Sequence, residues 1–273
     1  MRASVFFPAE QYLRLLEINH TPTRIDPGDL SSADSRPWNR LGTARSYYRS
    51  SSFARLTMSA TVAFYFDPVS PYAWLASLQL GRLDAAGIAL DVKPVLFAGL
   101  LGAHGTKGPA ETPAKRAYIF RDVMREAVAL GARAVGPPTH PFNPLRALRM
   151  CIAIDDAAQR RAFALALMDA AWGRGMELSV ADQLAQIAAQ CGLDKTKLLA
   201  SADDPAIKER LATQTASAVA AGVFGVPTFV YAGEMFWGAD RIDAVLRRHA
   251  GQRIDEAQLL TALARPASAT RRT

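Results

Sequence analysis

Residues 61–96 read TVAFYFDPVSPYAWLASLQLGRLDAAGIALDVKPVL, and this stretch decides the fold. Its first six residues are β-branched and aromatic and stop at Asp67-Pro68, which is typical of a strand followed by a breaker. Ser70-Pro71 then predicts a helix start, because Ser is favoured at the cap and Pro at the first helical position. Apolar residues follow at helical spacing, at Tyr72, Ala76, Leu80 and Leu83. After Gly87 the run Ile88–Leu96 predicts a second strand, so the segment is a βαβ unit with parallel strands.

The rest of the chain changes from loop to helix and back to strand. A Gly-rich segment, residues 98–113, predicts a loop. Residues 114–202 have helical periodicity interrupted by prolines, and one more helix is predicted over residues 206–221. Two short strand patterns around Gly233 predict a β-hairpin, and Asp240 is the expected cap of a last helix. The order predicts an α/β fold, in which an all-helical segment is inserted into a four-stranded core.

These patterns divide the chain into an extension, a core in two pieces, a helical insertion domain and a C-terminal tail. The predicted boundaries are residues 1–57, residues 58–105 with 206–250, residues 106–205 and residues 251–273. The extension holds eight Arg, no Lys and five acidic residues without sustained apolar periodicity, which predicts a poorly structured segment. Met58 offers a second start, so we expect the extension to be dispensable.

Composition excludes several classes of function. The formal charge is +7, but the cations are scattered and form no basic stripe with aromatics, so no nucleic-acid partner is expected. No apolar run reaches the roughly eighteen residues of a membrane span, and no secretory signal follows Arg2, so we expect a cytoplasmic protein without a membrane partner. The two cysteines, Cys151 and Cys191, are distant in sequence and form no CxxC pair, and no metal site is predicted.

Ser70 lies where the first strand gives way to a helix, and two interpretations of it stay open. In the first, it is only a helix cap. In the second, it donates a hydrogen bond to an anion, which the amides of Tyr72 and Ala73, predicted to be unpaired there, would also attract. No base and no GxSxG elbow surrounds it, so a nucleophilic serine is not predicted. Pro227, at the start of the hairpin, is typical of a sheet edge or bend, and general frequencies favour a trans peptide bond before it.

Four separated blocks carry a resemblance to a known family: FYFDPVSPYAW, HPFNPLRALR, DAAWGRGMELSVADQLAQIAAQCGL and GVFGVPTFVYAGEMFWGADR. In order and spacing they resemble the 2-hydroxychromene-2-carboxylate isomerases. Those belong with the kappa-class glutathione transferases, in the DsbA-like branch of the thioredoxin superfamily. The resemblance spans residues 61–249. It implies a thioredoxin-like core split by a helical domain and, against the general frequency, a cis peptide at Val226-Pro227.

The resemblance also implies glutathione as the cofactor. The glutathione sulfur is expected beside Ser70, and its cysteinyl backbone along Val226 and Pro227. Its γ-glutamyl end is expected at the start of the last helix, at Trp237, Gly238, Ala239 and Asp240. There Asp240 can pair with the ammonium group, while free helical amides receive the carboxylate. Disulfide exchange is not expected, because Ser70-Pro71-Tyr72-Ala73 contains no thiol.

The family's reaction is the reversible isomerisation of 2-hydroxychromene-2-carboxylate to trans-o-hydroxybenzylidenepyruvate, an intermediate of aromatic catabolism. The resemblance therefore implies an aromatic or conjugated 2-oxo acid as substrate, contacted by Phe142 and Asn143. This chain departs from the family at Leu101–His104 and at Glu111-Thr112, where naphthalene-pathway members have a lysine and an Asn-Arg pair. The candidate cations for the substrate carboxylate are Lys107, Lys115 and Arg116. Trp172 is predicted to belong to the helical core.

Two other functions stay open on the sequence. A kappa-like transferase would conjugate glutathione to electrophiles and leave a stable thioether, whereas an isomerase returns glutathione unchanged. A non-enzymatic thioredoxin-like binding module would have no affinity for glutathione. Relatives of this type are commonly dimers, so the resemblance implies a homodimer.

Overall fold

A four-stranded mixed sheet forms the centre of the fold in the computed structural model, which describes residues 60–266. The strands are β1 at Thr61–Phe66, β2 at Ala89–Pro94, β3 at Thr228–Tyr231 and β4 at Glu234–Trp237. Their order is β2-β1-β3-β4, with β1 parallel to β2 and antiparallel to β3. The α/β class and the parallel βαβ unit are therefore confirmed. The expectations for the N-terminal extension, for Met58 and for residues 267–273 lie outside the described residues.

β1 is a central strand, and one of its faces is entirely apolar. Alternate side chains of a strand point to the same face, and Val62, Phe64 and Phe66 share one face and are fully buried. The ring of Phe64 stacks on those of Phe66 and Phe229, with centroids 5.8 and 5.0 Å apart. Stacked aromatic pairs add to the stability gained by burial. This face fixes the sheet in the middle of the core.

The crossover from β1 to β2 holds two short helices, α1 at Pro71–Ser77 and α2 at Gly81–Ala85. The prediction of a single helix is wrong at this point. The hydroxyl of Ser77 donates to the carbonyl of Trp74 at 2.6 Å, a local bond that competes with regular helix pairing, and glycine at position 81 disfavours continuation. The apolar stripe still reaches the core, because Ala76, Leu80 and Leu83 are buried.

Part of the Gly-rich segment is helical, although the sequence predicts a loop there. α3 spans Phe97–Ala103, and a 3-10 turn spans Pro109–Glu111. Glycine lowers helix propensity, but Leu100 is fully buried in a cluster with Val223, and this packing outweighs the propensity. A Cβ at position 99 would lie 3.1 Å from the methyl group of Thr215, so glycine lets α3 approach the helix that carries Thr215.

The predicted helical segment is confirmed as a series of helices. They are α4 at Pro113–Ala129, α5 at Leu145–Ala153, α6 at Ala157–Trp172, α7 at Ala181–Gln190, α8 at Lys195–Ser201 and α9 at Pro205–Ala220. α6 packs on α1 and β2, and α4 packs on α1. Buried side chains form one continuous cluster from the sheet into these helices. The described residues belong to one compact unit, and the division into a core and an insertion domain stays a prediction.

The C-terminal part begins with the predicted hairpin. β3 and β4 are joined by Ala232 and Gly233, whose φ angles of 50° and 78° are left-handed, as tight hairpin turns require. A 3-10 turn at Ala239–Arg241 leads into α10 at Ile242–His249. The tail, residues 251–273, contains a further helix, α11 at Glu256–Leu263.

Trp172 joins α6 to the sheet. It is almost fully buried, as predicted, and its indole Nε1 donates to the carbonyl of Pro68 at 2.9 Å. Pro68 follows β1, so this bond connects the helical segment to the strand end that precedes Ser70.

We expect Trp172→Phe to destabilise the protein by about 1–3 kcal/mol, because it leaves the buried carbonyl of Pro68 without a donor. Urea unfolding of the full chain measures this change. Trp237→Phe is the matched control: its indole is 54% exposed, so its effect should stay within about 0.5 kcal/mol. Equal losses in the two variants would contradict the role given to the indole of Trp172.

Candidate active site

Ser70 caps α1 and touches a distant part of the chain. Its hydroxyl accepts from the amide of Ala73 at 3.3 Å and donates to the carbonyl of Val226 at 3.2 Å. The residue is only 6% exposed. Its own amide donates to the carbonyl of Asp67 at 3.0 Å, which forms a tight turn at the end of β1. The hydroxyl therefore joins the start of α1 to the segment that precedes β3.

That second segment contains Val226 and Pro227, and the peptide bond between them is cis, as the resemblance implies. The carbonyl of Pro227 accepts from the amide of Gly238 at 3.0 Å. The hydroxyl of Thr228 donates to the carbonyl of Gly225 at 2.7 Å. These bonds hold the segment between Ser70 on one side and Gly238 on the other.

At the Ser70 turn and the cis peptide, the amides of Tyr72 and Val226 donate to no acceptor within residues 60–266. The Tyr72 amide was predicted to be unpaired. The same prediction for Ala73 is wrong, because its amide donates to both the carbonyl and the hydroxyl oxygen of Ser70. The Tyr72 amide can therefore donate to an anion at the start of α1, and the Ser70 hydroxyl can do so if it leaves the Val226 carbonyl.

The predicted γ-glutamyl segment follows β4. The indole of Trp237 covers Gly225, where a Cβ would lie 2.8 Å from its Nε1, and its ring contacts that of Phe224. Asp240 is not the expected cap: Arg241 takes the cap position of α10, and Gly238, with a φ of 126°, caps the 3-10 turn. The exposed carboxylate of Asp240 pairs with Arg241 at 2.6 Å. The amides of Ala239 and Asp240 donate to no acceptor within residues 60–266.

Asp67 is a buried carboxyl that the sequence analysis treats only as a strand breaker. Its Oδ1 accepts from the amide of Val69 and its Oδ2 from the amide of Phe97, both at 2.9 Å. Burial raises its pKa from 3.8 to about 7, while the two amide bonds lower it. The available signal was an acid flanked by apolar residues and placed three positions before Ser70.

His140 supports the same turn from the helical segment. Its Nε2 lies 3.1 Å from the carbonyl of Val69, and burial lowers its pKa from 6.5 to about 4, so the ring is neutral and donates this bond. It packs edge-on against Phe120 and Trp172, with centroids 5.4 and 5.2 Å away. The sequence alone indicates no partner for His140, since Val69, Phe120 and Trp172 are all distant from it along the chain.

The proposed substrate residues lie next to His140 in sequence. Phe142 is buried with its ring 6.2 Å from that of His140. Asn143 is also buried, and its Oδ1 accepts from the amide of Leu145 at the start of α5. Both residues have structural contacts, and their contact with a substrate stays a prediction.

The three candidate cations differ in their surroundings. Arg116 lies over the ring of Phe120, 5.0 Å from its centroid, and its positive charge helps to lower the pKa of His140. All three side chains are exposed and form no ion pair within residues 60–266, and Lys107 and Lys115 lack a ring contact of this kind there. Arg116 is therefore the candidate with contacts in the aromatic cluster behind the Ser70 turn.

The family model of the DsbA-like thioredoxin domain matches residues 61–250, well over half of the chain. The chain belongs to the DsbA-like thioredoxin family. The thioredoxin-like fold expected from the resemblance is thereby confirmed. In this member of the family, Ser70 stands at the start of the first helix, and the motif that follows it contains no cysteine.

Individual relatives agree with the resemblance seen in the sequence. The 2-hydroxychromene-2-carboxylate isomerase of Pseudomonas putida is 30% identical over 184 residues, which cover 66% of this chain and 90% of the relative. Glutathione S-transferase kappa 1 of Rattus norvegicus is 24% identical over 195 residues, covering 66% and 86%. A solved 2-hydroxychromene-2-carboxylate isomerase matches with a TM-score of 0.66 and 26% identity, over 75% of this chain and 100% of that one.

A more distant structure shows the fold alone. A probable DsbA oxidoreductase from Streptomyces coelicolor has a TM-score of 0.55 and 16% identity, over 71% of this chain and 92% of that one.

Within residues 60–266, no helix has the length and apolar character to cross a membrane. In the same residues, no three His, Cys, Asp or Glu side chains converge as a metal site.

Asp67 and His140 make opposite contributions to the pH dependence of stability. The folded protein holds a proton on Asp67 more tightly than the unfolded chain, so this stabilisation is complete below pH 3.8 and is lost as the pH rises through about 7. The lowered pKa of His140 gives stabilisation that is present above pH 6.5 and lost as the pH falls through about 4. Between these values the two effects oppose each other.

Asp67→Asn isolates the first effect. We expect the free energy of unfolding of the wild type, relative to this variant, to fall by about 3 kcal/mol from pH 4.5 to pH 8, at about 1.4 kcal/mol per pKa unit. Urea unfolding at several pH values measures it. Asp194→Asn is the control, since that exposed carboxylate also accepts from two amides, at 3.0 Å. A difference for Asp67→Asn that does not vary with pH would contradict the prediction.

Proposed function

We propose that the chain is a glutathione-dependent isomerase that interconverts substrates of the 2-hydroxychromene-2-carboxylate and trans-o-hydroxybenzylidenepyruvate type. The supporting observation is the 3.2 Å hydrogen bond from the Ser70 hydroxyl to the Val226 carbonyl. It brings together the two segments that the resemblance assigns to the glutathione sulfur and cysteinyl backbone. The relatives named as isomerases support the same reaction.

The polar groups at the site fit a thiolate attached to a peptide. The Ser70 hydroxyl and the Tyr72 amide offer two donors to a sulfur anion, and the positive end of α1 adds a favourable field. The Val226 amide, which has no acceptor in residues 60–266, offers a donor to a peptide carbonyl. When bound, glutathione supplies a thiolate that adds reversibly to a conjugated double bond and so permits rotation about it.

Ser70 exchanges one acceptor for another in this mechanism. Its hydroxyl turns from the neutral carbonyl of Val226 to the sulfur anion, and a charge-assisted hydrogen bond is about twice as strong as a neutral one. The exchange leaves the Val226 carbonyl free to accept an N–H from the cysteinyl backbone. The cap bond from Ala73 stays in place, because it uses a lone pair of the same oxygen.

The γ-glutamyl end is placed at the turn that starts α10. The amides of Ala239 and Asp240 donate to its carboxylate, and the carboxylate of Asp240 accepts from its ammonium group. Asp240 already pairs with Arg241 in solvent, so this contact exchanges one exposed ion pair for another and contributes little affinity. Trp237, which is more than half exposed, offers an apolar surface beside this turn.

Arg116 is our candidate for the substrate carboxylate. It forms no ion pair with another side chain of residues 60–266, and it lies over Phe120 in the cluster that supports the Ser70 turn. Phe142 belongs to the same cluster through His140 and supplies aromatic surface. An aromatic 2-oxo acid matches this combination of rings and a cation.

A kappa-like glutathione transferase is the second candidate, supported by relatives of that name. It would use the same thiolate site, and only the product separates the two activities. Mass spectrometry of the reaction mixture shows either a stable thioether or unchanged glutathione. Calorimetric titration with glutathione tests the third candidate, a non-enzymatic module, since absent binding would eliminate both enzymes.

The proposal includes a cytoplasmic homodimer with no nucleic-acid or membrane partner.

We expect Ser70→Ala to raise the pKa of the bound glutathione thiol by roughly 1–2 units, the equivalent of a hydrogen bond to a charged group. Isomerase activity at neutral pH should fall about 10- to 100-fold and recover partly as the pH rises, while glutathione affinity changes much less. Thiolate ultraviolet absorbance against pH measures the shift. Ser77→Ala is the matched control, since that hydroxyl donates to the Trp74 carbonyl of the same helix and, within residues 60–266, to no group of the site. An unshifted thiol titration in Ser70→Ala would contradict the assigned role.

We expect Arg116→Ala to raise KM for the 2-oxo acid about two- to fivefold, as for a partly exposed charged pair, with little change in glutathione affinity. Lys115→Ala, the adjacent exposed cation, should leave KM unchanged. Steady-state kinetics at saturating glutathione give both values. If Lys115→Ala has the larger effect, the carboxylate is bound by a different cation.

A further inference from the structure

Asp67 connects three parts of the molecule near Ser70. Its side chain accepts from the amide of Val69, within its own turn, and from the amide of Phe97, the first residue of α3, at 2.9 Å each. Its backbone carbonyl accepts from the amide of Ser70 at 3.0 Å. The residue is fully buried. One carboxylate therefore ties the turn that presents Ser70 to the start of α3.

No charged side chain in residues 60–266 pairs with this carboxylate. From the helical segment the titratable group against the turn is His140, which contacts the Val69 carbonyl and is neutral because burial lowers its pKa to about 4. On α1, the hydroxyl of Tyr72 donates to Asp122. On β1, Tyr65 packs with the cluster that contains Val226. Protonation of Asp67 itself is therefore the event that changes the charge of the turn near neutral pH.

The two amide bonds favour the ionised form, since both lower the pKa of Asp67. A carboxylate offers each amide a negatively charged oxygen, and such bonds are shorter and stronger than neutral ones. Protonation places a hydrogen on one oxygen, which weakens the bond to the amide that faces it. The carboxyl oxygens bond different segments, so protonation loosens either the Val69 side or the α3 side of the connection.

We propose that Asp67 is a positioning residue for Ser70, and that its ionised form holds the Ser70 turn while its protonated form releases one of the two amides. The release requires no ligand, and only its effect on the bound thiolate rests on the proposed function. The pKa of about 7 means that both forms are populated near neutral pH. The two amide bonds are then strongest on the alkaline side of this value, although burial of the charge lowers the stability of the whole fold there.

Amide resonances of the 15N-labelled full chain test this between pH 5 and pH 9. We expect the amides of Val69, Ser70 and Phe97 to follow one common titration with a midpoint of about 7. Asp67→Asn should abolish this titration, because its side chain carries no proton to lose. Asp194→Asn, which changes an exposed carboxylate that also accepts from two amides, should retain it.

A wild-type chain whose three amides do not shift between pH 5 and pH 9 overturns the proposal, whether or not Asp67→Asn folds. So does a titration that persists in Asp67→Asn. Bound-thiolate absorbance then measures the effect on the site: two inflections are expected for the wild type and one for the variant. Wild-type protein that binds no glutathione defeats the proposed function instead, and the amide titration still decides the role of Asp67.

Discussion

The turn from Asp67 to Ser70 is buried, and each of its buried polar groups requires a hydrogen-bond partner. The partners come from separate places: the side chain of Asp67, the indole of Trp172, the imidazole of His140 and the carbonyl of Val226. Three of these four are far away in sequence. The turn is therefore complete only when the helical segment and the segment before β3 are both in place. Local geometry at the candidate site depends in this way on the whole fold.

The central elements were predictable because their signals are local. The run TVAFYF alternates as a strand, and Ser70-Pro71 is a strong helix start, so the βαβ unit follows from neighbouring residues alone. α3 could not be predicted in the same way. Its glycines favour a loop, and the burial of Leu100 that stabilises the helix involves Val223, more than a hundred positions along the chain. The break between α1 and α2 lies beside the hydroxyl bond of Ser77 and before Gly81, two local features that the apolar periodicity does not register.

Two parts of the site were predictable: the part that local sequence patterns indicate, and the part that the family resemblance implies. Ser70 follows from the cap pattern, whereas the cis bond before Pro227 came from the resemblance against the general frequency. Asp67 and His140 were missed because their importance comes from burial and from distant contacts. They also show how a core holds ionisable groups: burial favours the neutral form of each, which means a proton gained for Asp67 and a proton lost for His140.

With a serine rather than a cysteine at position 70, the site also responds differently to oxidants. A hydroxyl is neither oxidised to a sulfenic acid nor captured in a mixed disulfide, the fates of exposed thiolates. The cysteine at position 151 is buried, and burial raises its pKa to about 12, so it stays an unreactive thiol. With glutathione as the proposed cofactor, the reactive sulfur belongs to a molecule that leaves. Oxidative damage at this site is then removed by exchange of the ligand, without repair of the protein.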